Sequence, residues 1–445
     1  MESVGQSTMQ REIGRRKSAF LAISAVFGLS YGCYMYYAFI YLNRVCGLVK
    51  ASNPTSDLLI VLLATMLFEA FAEPTTGDYA DLRGRRRAQI LAFSLLALGF
   101  VIYATLAPVA VLIGTPITVV AGAIVAEFVI ALALAFQSGA LEAWISDAIG
   151  ALDPAHRTPA ALTALYGRGS QVFSIGTVLG GSTAIAIGNA APELSYLPWA
   201  IAAALSLFTM LLCAASMNED DRPGTTASEE PIRAFSTAQR VMDVLQGPET
   251  RFALLVSSIA YCAAIVYAFF GPVLLSAIVA DRWMWAYPWL MLIARIVGPE
   301  LSRSATRRWS TRRVGFVAAA VVAASCVVLG LGGTVAPGCW LVAAGFVLTT
   351  ANSAGRPAQL ASIDASVPST SKRALLLSLS TPLGSLLAGT VAGGVALAFA
   401  VTGNDWPIAV MFLIVGGTCS GALAIGRWLT SPRPQRPVDS ADVRS

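Results

Sequence analysis

Six of the ionisable residues inside long apolar stretches of the sequence are our functional candidates, because a charge there is costly and usually has a role. They are Glu69, Glu127, Glu142, Arg168, Arg295 and Arg356. Such residues face a partner or a water-filled cavity when they lie at membrane depth. Burial disfavours the charged form of a carboxylate, so Glu127, then Glu69, are our candidates for binding and releasing a proton. The alternative for Glu127 is an inert, hydrogen-bonded residue near a membrane interface.

Two spacings place other polar residues together. Glu142 and Arg168 each lie 13 positions from residue 155, so on adjacent antiparallel helices they should reach similar depth. We expect an ion pair between them, either a fixed structural pair or a moving gate. Asn352 and Arg356 are one helical turn apart and could bind a polar or anionic group, or serve only as hydrogen bonds between helices.

A run of tyrosines lies on one face of the first apolar stretch. Tyr31, Tyr34, Tyr37 and Tyr41 are spaced by three, three and four residues, which places them along one stripe of a helix. Such a stripe either packs against other helices or lies at the lipid interface, or it forms the aromatic wall of a binding cavity. Both interpretations stay open.

The composition favours a membrane protein and argues against most enzymes. Hydrophobic residues make up 56% of the chain and charged residues 12%, against roughly 25% charged in soluble domains. The only histidine is His156, the seven cysteines form no C-x-x-C pair, and no hydrolase, metalloprotease or nucleotide-binding motif is present. We therefore predict a chain that is not an enzyme and that uses no metal, cofactor or nucleic acid.

Twelve windows are apolar and long enough to span a bilayer, which needs about 20 residues each. The predicted fold class is thus an all-α membrane protein with twelve transmembrane helices. The windows are 18–45, 56–76, 88–108, 117–146, 163–188, 195–217, 251–278, 284–302, 313–334, 337–362, 373–401 and 406–429.

The basic residues of the loops predict the orientation. With both termini in the cytoplasm, 24 Lys and Arg residues fall on the cytoplasmic side and 3 on the outer side. Cytoplasmic loops of membrane proteins carry such an excess. We predict a multi-pass protein of a cytoplasmic membrane with both termini inside.

A polar stretch divides the chain into two similar halves. Residues 218–250 are rich in Pro, Gly, Thr and charge, which is typical of a linker. Tyr31 and Tyr37 in the first half match Tyr261 and Tyr267 in the second at one constant offset. We predict a six-helix bundle over 1–217, a cytoplasmic linker over 218–250, a second six-helix bundle over 251–430 and a cytoplasmic tail over 431–445.

The segment between the second and third windows carries a recognisable motif. It reads Gly77-Asp-Tyr-Ala-Asp81-Leu-Arg-Gly84-Arg85-Arg86-Arg87, and it resembles the loop signature of the major facilitator superfamily. The resemblance implies the major facilitator fold. It also implies a charge network of Asp81 and Arg85 with Asp147 that latches the two halves together on the cytoplasmic side. The alternative is a basic loop needed only for topology, with Gly77 and Gly84 forming a tight turn.

Two further stretches bear on function. Residues 137–147 resemble bacterial members of the superfamily, many of them drug-exporter-like, while Gly176 and Gly180 match only the first two glycines of the family's antiporter motif. The favoured function is a monomeric proton-coupled antiporter that exports a small amphipathic compound by alternating access in the bilayer. A proton-coupled importer of a metabolite is the alternative. A membrane-embedded enzyme would need a convergent nucleophile, acid or metal set, which one histidine and scattered cysteines do not supply. A receptor or scaffold without transport activity should tolerate loss of Glu127, Glu69 and Asp81.

The orientation can be tested by labelling introduced cysteines in a background that lacks the seven native ones. Because of the charge asymmetry, Ser228→Cys should react with an impermeant maleimide only from the inside, and Ser52→Cys only from the outside. Labelling of Ser228→Cys in intact cells would reject the assignment.

Overall fold

The computed structural model describes residues 2–48, 54–113, 115–153, 158–218, 248–276, 286–335, 340–365, 377, 379, 381, 383–391, 394 and 406–430. These residues are almost entirely α-helical, and no strand occurs among them. The predicted linker lies almost wholly outside the described residues, as do most of the eleventh window and the tail.

The helices are numbered in chain order, and residues 383–391 form a further short helical stretch. They are α1 (Glu2–Leu48), α2 (Pro54–Arg83), α3 (Arg85–Ile113), α4 (Pro116–Gln137), α5 (Ala140–Leu152), α6 (Pro159–Ala190), α7 (Leu197–Ser216), α8 (Pro248–Ser276), α9 (Ala286–Ala305), α10 (Thr311–Val335), α11 (Trp340–Ala365) and α12 (Trp406–Thr430).

Seven helical stretches in the described part of the chain are long and apolar enough to cross a membrane. They lie at Ser7–Ala38, Arg85–Ile113, Ile117–Leu152, Pro159–Ala190, Leu197–Ser216, Thr250–Ala268 and Thr311–Gly332. Helices α2, α9 and α11 are also long, but each carries charged residues within its predicted window. The chain is a multi-pass membrane protein, and the buried charges on these helices, such as Glu69 and Glu73, must be accommodated by the protein interior.

The glycine motif is not a loop, contrary to the sequence expectation. Helix α2 continues through Gly77 and Asp81 to Arg83, and α3 begins at Arg85. Gly84 alone joins them, with φ of 117°, a conformation that only glycine adopts without strain. The motif therefore holds two long helices at a fixed angle through one residue, and its charged side chains are held by helices.

The fourth predicted window is broken into α4 and α5 at Ser138 and Gly139. Gly139 adopts φ of 71°, the left-handed region, and so ends the regular hydrogen bonding of α4. Neighbouring helices satisfy the carbonyls near the break. The Thr76 hydroxyl donates to the Ala135 carbonyl at 2.8 Å, and the Gln89 amide donates to the Gln137 carbonyl at 3.1 Å. Irregular backbone at membrane depth needs such partners.

Helices α1 and α6 pack backbone against backbone through glycines. A Cβ added to Gly32 on α1 would collide with the Thr177 carbonyl of α6, and one on Gly180 would collide with the Leu29 carbonyl of α1. Gly28 and Gly176 interlock in the same way. Small residues allow membrane helices this close approach. The two glycines that match the antiporter motif thus have a packing role in this fold.

Two hydrophobic clusters correspond to the two halves of the chain, which we define as α1–α7 and α8–α12. The first contains the large aromatics Tyr37, Tyr103 and Trp199, and the second is built around residues such as Tyr267 and Phe412. Leu360, Ile363 and Leu377 of the second half pack in the first cluster, so the halves are in direct contact. The proposed boundary at residues 218–250 stays a prediction.

The close packing at the glycines of α1 and α6 predicts that a methyl group added there destabilises the protein. Gly180→Ala should lower the free energy of unfolding in detergent by about 1–3 kcal/mol, because overpacking forces α1 and α6 apart. Gly421→Ala on α12 is the control, since its Cβ would meet nothing within 4 Å. Alanine has the higher helix propensity, so this control should not be destabilised. Equal unfolding temperatures for the two variants would contradict the packing argument.

Candidate functional site

A cavity of about 320 Å³ lies between the two halves. Its walls come from α1, α2, α4, α5 and α6 on one side and from α8, α11 and residues 377 and 381 on the other. Six aromatic side chains line it: Phe20, Phe27, Tyr31, Tyr166, Phe173 and Tyr261. Its size falls at the lower end of the range of about 300–1,000 Å³ found for small-molecule sites.

Three charged side chains of both signs line the cavity. Glu69 and Glu142 belong to the first half and Arg356 to the second. The Arg356 guanidinium donates to the hydroxyl of Ser257 at 2.9 Å and lies 5.7 Å from the ring centre of Tyr261. These contacts fix the position of the guanidinium in the wall of the second half.

The two wall carboxylates are only partly satisfied. Glu69 accepts one long hydrogen bond from the Ser385 hydroxyl, at 3.5 Å. The Oε2 atom of Glu142 is buried and has no hydrogen-bond partner. Its charge and that of Arg356 attract each other across the cavity. Both carboxylates can therefore accept a further donor.

The break between α4 and α5 faces this cavity. Gln137, Ser138 and Gly139 line the wall together with Leu141 and Glu142. Because the left-handed conformation of Gly139 starts a new helix at Ala140, Glu142 stands in the first turn of α5. A carboxylate is favoured there by the helix dipole. The break thus gives the cavity both polar backbone and a positioned carboxylate.

Glu73 is a buried carboxylate that the sequence reasoning missed. It lies one turn after Glu69 on α2, is fully buried, and neither carboxylate oxygen has a hydrogen-bond partner. Ser138 is close enough to influence it, although the two do not form a hydrogen bond of normal geometry. The spacing of four residues from Glu69, inside the window 56–76, was the available signal. Glu73 lies behind the cavity wall.

Glu127 has partners that the sequence did not reveal, and it does not line the cavity. Its carboxylate accepts hydrogen bonds from Tyr34 at 2.7 Å, from Thr65 at 2.8 Å and from Tyr103. The Tyr103 ring stacks on Trp199 with centres 4.4 Å apart. Glu127 therefore sits inside the first bundle with three hydroxyl donors, which corresponds to the hydrogen-bonded alternative.

The tyrosine stripe divides between the two expected roles. Only Tyr31 lines the cavity. Tyr34 binds Glu127, the Tyr37 hydroxyl donates to the Ser195 carbonyl at 3.2 Å, and the Tyr41 hydroxyl donates to the Tyr103 carbonyl at 2.8 Å. Tyr34 and Tyr37 therefore do not line this cavity, because the helix turns them toward the interior of their own bundle.

Three other expectations do not match the structure. Glu142 and Arg168 are not joined by an ion pair within the described residues, and Arg168 is exposed. Equal depth does not determine which face of a helix a residue occupies, and the break at Gly139 reorients α5. Asn352 and Arg295 are partly exposed and do not line the cavity, unlike Arg356 one turn beyond Asn352.

The three motif charges meet at one end of the bundle. Arg85 forms an ion pair with Asp147, lies 3.4 Å from Asp81, and donates to the Ala143 carbonyl at 3.0 Å. Arg85 and Asp147 are both buried. Next to Asp147, the Ser146 hydroxyl donates to Asp364 of the second half at 3.2 Å. The charge cluster is thus adjacent to a polar contact between the halves.

Contacts between α6 and α9 connect the two halves as well. The Gln171 amide donates to the Ile296 carbonyl at 2.9 Å, and a Cβ on Gly167 would lie 3.1 Å from Pro299. Hydrophobic packing of Leu360 and Ile363 against the first cluster adds to this junction. Both hydrogen bonds and hydrophobic packing therefore join the halves in this conformation.

The fold has close counterparts among solved structures. No family model matches the chain, and no curated protein matches it. The proton:xylose symporter XylE bound to a glucose analogue superimposes with a TM-score of 0.68 at 13% identity, covering 94% of this chain and 96% of that one. The E. coli fucose:proton symporter FucP superimposes with a TM-score of 0.65 at 15% identity, covering 94% of this chain and 98% of that one. The human organic anion transporter MFSD10 superimposes with a TM-score of 0.63 at 14% identity, covering 95% of this chain and 99% of that one.

The chain has the major facilitator fold. Identities this low show the fold alone, and the agreement extends over nearly the whole length of each chain. The predicted fold class, an all-α membrane protein with twelve transmembrane helices in two six-helix bundles, is confirmed. Within the major facilitator fold, the cavity described above lies between the bundles.

The contacts of Asp81, Arg85 and Asp147 are those that the motif resemblance implied. Their role as a latch stays a prediction. If they form a latch, Arg85→Ala leaves two buried carboxylates without their cation and weakens the state in which the two halves are in contact next to this cluster. Loss of one partner of a buried pair costs about 3–5 kcal/mol.

The latch can be tested by maleimide labelling of Ser170→Cys, a cavity residue, from the side that carries the motif. Arg85→Ala should increase the labelling rate at least about tenfold, whereas Arg83→Ala, a neighbouring exposed arginine, should leave it unchanged. An unchanged rate in a folded Arg85→Ala variant would mean that the cluster does not hold the halves together.

Proposed function

We propose that this chain is a secondary active transporter whose substrate binds in the cavity between the two bundles. The observation that carries the proposal is a cavity with charged side chains from both halves, in a fold whose solved relatives are transporters. A site at the interface of two repeats opens alternately to each side when the bundles rock. We place it in a bacterial cytoplasmic membrane, as a monomer with both termini inside and without a cofactor.

The environments of the buried carboxylates support Glu69 and Glu73 as the proton carriers. The three hydroxyl donors around Glu127 partly compensate the burial of its charge, so Glu127 gains less from a proton than a buried carboxylate without such donors. Glu73 is fully buried without a hydrogen-bond partner, and Glu69 reaches the cavity with one long hydrogen bond. A charge in such surroundings is costly unless a cation or a proton accompanies it.

Proton antiport follows from competition at Glu69. A cationic group that enters the cavity can replace the proton as the partner of this carboxylate. The substrate would then leave toward one side and the proton would enter from the other. The aromatic walls suit a small amphipathic compound, and the likeness of residues 137–147 to drug-exporter-like sequences supports export.

Proton-coupled import is the second candidate. Two of the similar structures are named as proton symporters, of fucose and of xylose. In that case substrate and proton would occupy the cavity and Glu69 together, and both would be released inside. The same carboxylates serve either direction, so direction must be measured.

The coupling can be measured in proteoliposomes that contain a pH-sensitive dye, with ethidium as the amphipathic cation and L-fucose and D-xylose as the import probes. Glu69→Gln and Glu73→Gln should each reduce pH-gradient-driven accumulation at least tenfold while retaining exchange, because glutamine mimics the protonated acid. Glu193→Gln, at an exposed site, should behave as the wild type.

Glu127→Gln separates the two assignments of the proton site. Its NH₂ group would replace one carboxylate oxygen and direct hydrogens at hydroxyls that already donate, either that of Tyr103 or those of Tyr34 and Thr65. We therefore expect a lower unfolding temperature with coupling retained. Loss of coupling at an unchanged unfolding temperature would identify Glu127 as the carrier instead. Uphill transport by all three variants would reject proton coupling through Glu69, Glu73 and Glu127, and would require a different carboxylate or a different energy source.

A further inference from the structure

We infer that the cavity binds a zwitterion: a small molecule that carries both a basic nitrogen and an acidic group on an aromatic or otherwise apolar body. The inference rests on the proposed function, in that the cavity is taken as the substrate site. It goes further by assigning the charge type of the substrate from the distribution of charges on the walls.

The two signs of charge lie on different halves of the molecule. The first half contributes Glu69 and Glu142, with Glu73 behind the wall, and the second half contributes Arg356. A ligand that touches both walls therefore meets carboxylates at one end and a guanidinium at the other. Such a ligand bridges the two bundles through its own charges.

Glu142 is built to accept a donor from the cavity. The carboxylate interacts with the N–H of its own residue in the first turn of α5. Its Oε2 atom is buried and has no hydrogen-bond partner in this conformation, so turning the carboxylate toward a donor in the cavity breaks no hydrogen bond at that atom. A buried carboxylate oxygen without a donor is costly, and the ammonium group of a ligand would supply both a donor and a compensating charge.

Arg356 is built to present its planar face and edge to an acid. Ser257 on α8 and Thr381 accept from its guanidinium at 2.9 and 3.5 Å, and Tyr261 lies against it. These contacts come from several parts of the second half and restrict the rotamers of the side chain. A guanidinium held in this way matches the two oxygens of a carboxylate or the oxygens of a phosphate better than an ammonium does.

Ligands of the other charge types leave part of the wall charge uncompensated. A purely cationic ligand would be attracted by Glu69 and Glu142 but would bring its charge toward that of Arg356, and a purely anionic ligand would be attracted by Arg356 but repelled by the two carboxylates. A neutral ligand would displace water from all three charges without replacing it, which is unfavourable for each ion. Charge complementarity of this kind is a common source of specificity.

The rest of the wall defines the body of the ligand. The six aromatic side chains of the cavity supply flat apolar surface between the charged ends. A volume of about 320 Å³ accommodates a molecule of the size of an aromatic amino acid. The zwitterion should therefore have an aromatic or branched apolar core and a small number of polar groups.

The test uses four probes with one common phenyl body and the full-length protein in detergent. They are L-phenylalanine (zwitterion), phenethylamine (cation), 3-phenylpropanoate (anion) and 3-phenylpropanol (neutral). Binding is measured at pH 7 by calorimetry and by the shift in unfolding temperature. We expect L-phenylalanine to bind at least tenfold more tightly than each of the other three.

Variants assign each end of the ligand. Glu142→Gln should weaken the binding of L-phenylalanine and phenethylamine at least fivefold but not that of 3-phenylpropanoate. Arg356→Gln should weaken the binding of L-phenylalanine and 3-phenylpropanoate at least fivefold but not that of phenethylamine. Should Arg356→Gln fail to fold, Arg356→Lys keeps the charge but loses the paired N–H donors, and it should weaken L-phenylalanine and 3-phenylpropanoate but not phenethylamine. Glu193→Gln, outside the cavity, is the control.

Several outcomes would overturn the inference. The first is equal binding of all four probes. The second is that phenethylamine or 3-phenylpropanoate binds as tightly as L-phenylalanine, and the third is that no probe binds at about 10 mM or below. Binding in detergent needs no proton gradient. Charge-selective binding without gradient-driven transport would therefore count against the proposed function alone, and transport without charge selection against the zwitterion alone.

Discussion

The structure depends on one constraint: polar groups at membrane depth must find their partners inside the protein, because lipid supplies none. In most of the described residues, uninterrupted helices satisfy the backbone polar groups. At the break at Gly139 the helical hydrogen bonds are interrupted, and Thr76 and Gln89 donate instead to carbonyls at the end of α4. The break is thus supported from α2 and α3, and it faces the cavity, where polar backbone can also meet a ligand.

The short helix α5 connects the two polar regions of the first half. Its first turn holds Glu142 in the cavity wall, and its later turns hold Asp147 against Arg85. Between them, Ser146 reaches Asp364 in the other half. Since α5 spans only 13 residues, a displacement of the charge cluster would move Glu142, and a ligand bound to Glu142 would bias the cluster. This gives a physical connection between binding and the contact of the halves.

The buried carboxylates show how the same residue type acquires different roles from its surroundings. Glu127 is enclosed by hydroxyl donors of three helices and stabilises the first bundle. Glu69 borders the cavity, and Glu73 lies just behind it without a hydrogen-bond partner. Burial alone does not distinguish them, because all three are buried. The number of donors within reach distinguishes them.

The sequence by itself determined the fold class, the position of the charge motif and its partner Asp147. The fold class and the position of the motif follow from apolar length, from loop charge and from a local pattern, which are properties of consecutive residues. The partner Asp147 was implied by the resemblance of the motif to that of the major facilitator superfamily. It did not determine which carboxylates reach the cavity, that Tyr34 and Tyr37 turn inward, or that Arg168 is exposed. Those outcomes depend on the rotation of each helix about its axis and on the break at Gly139, and both are decided by packing between segments that are distant in the chain.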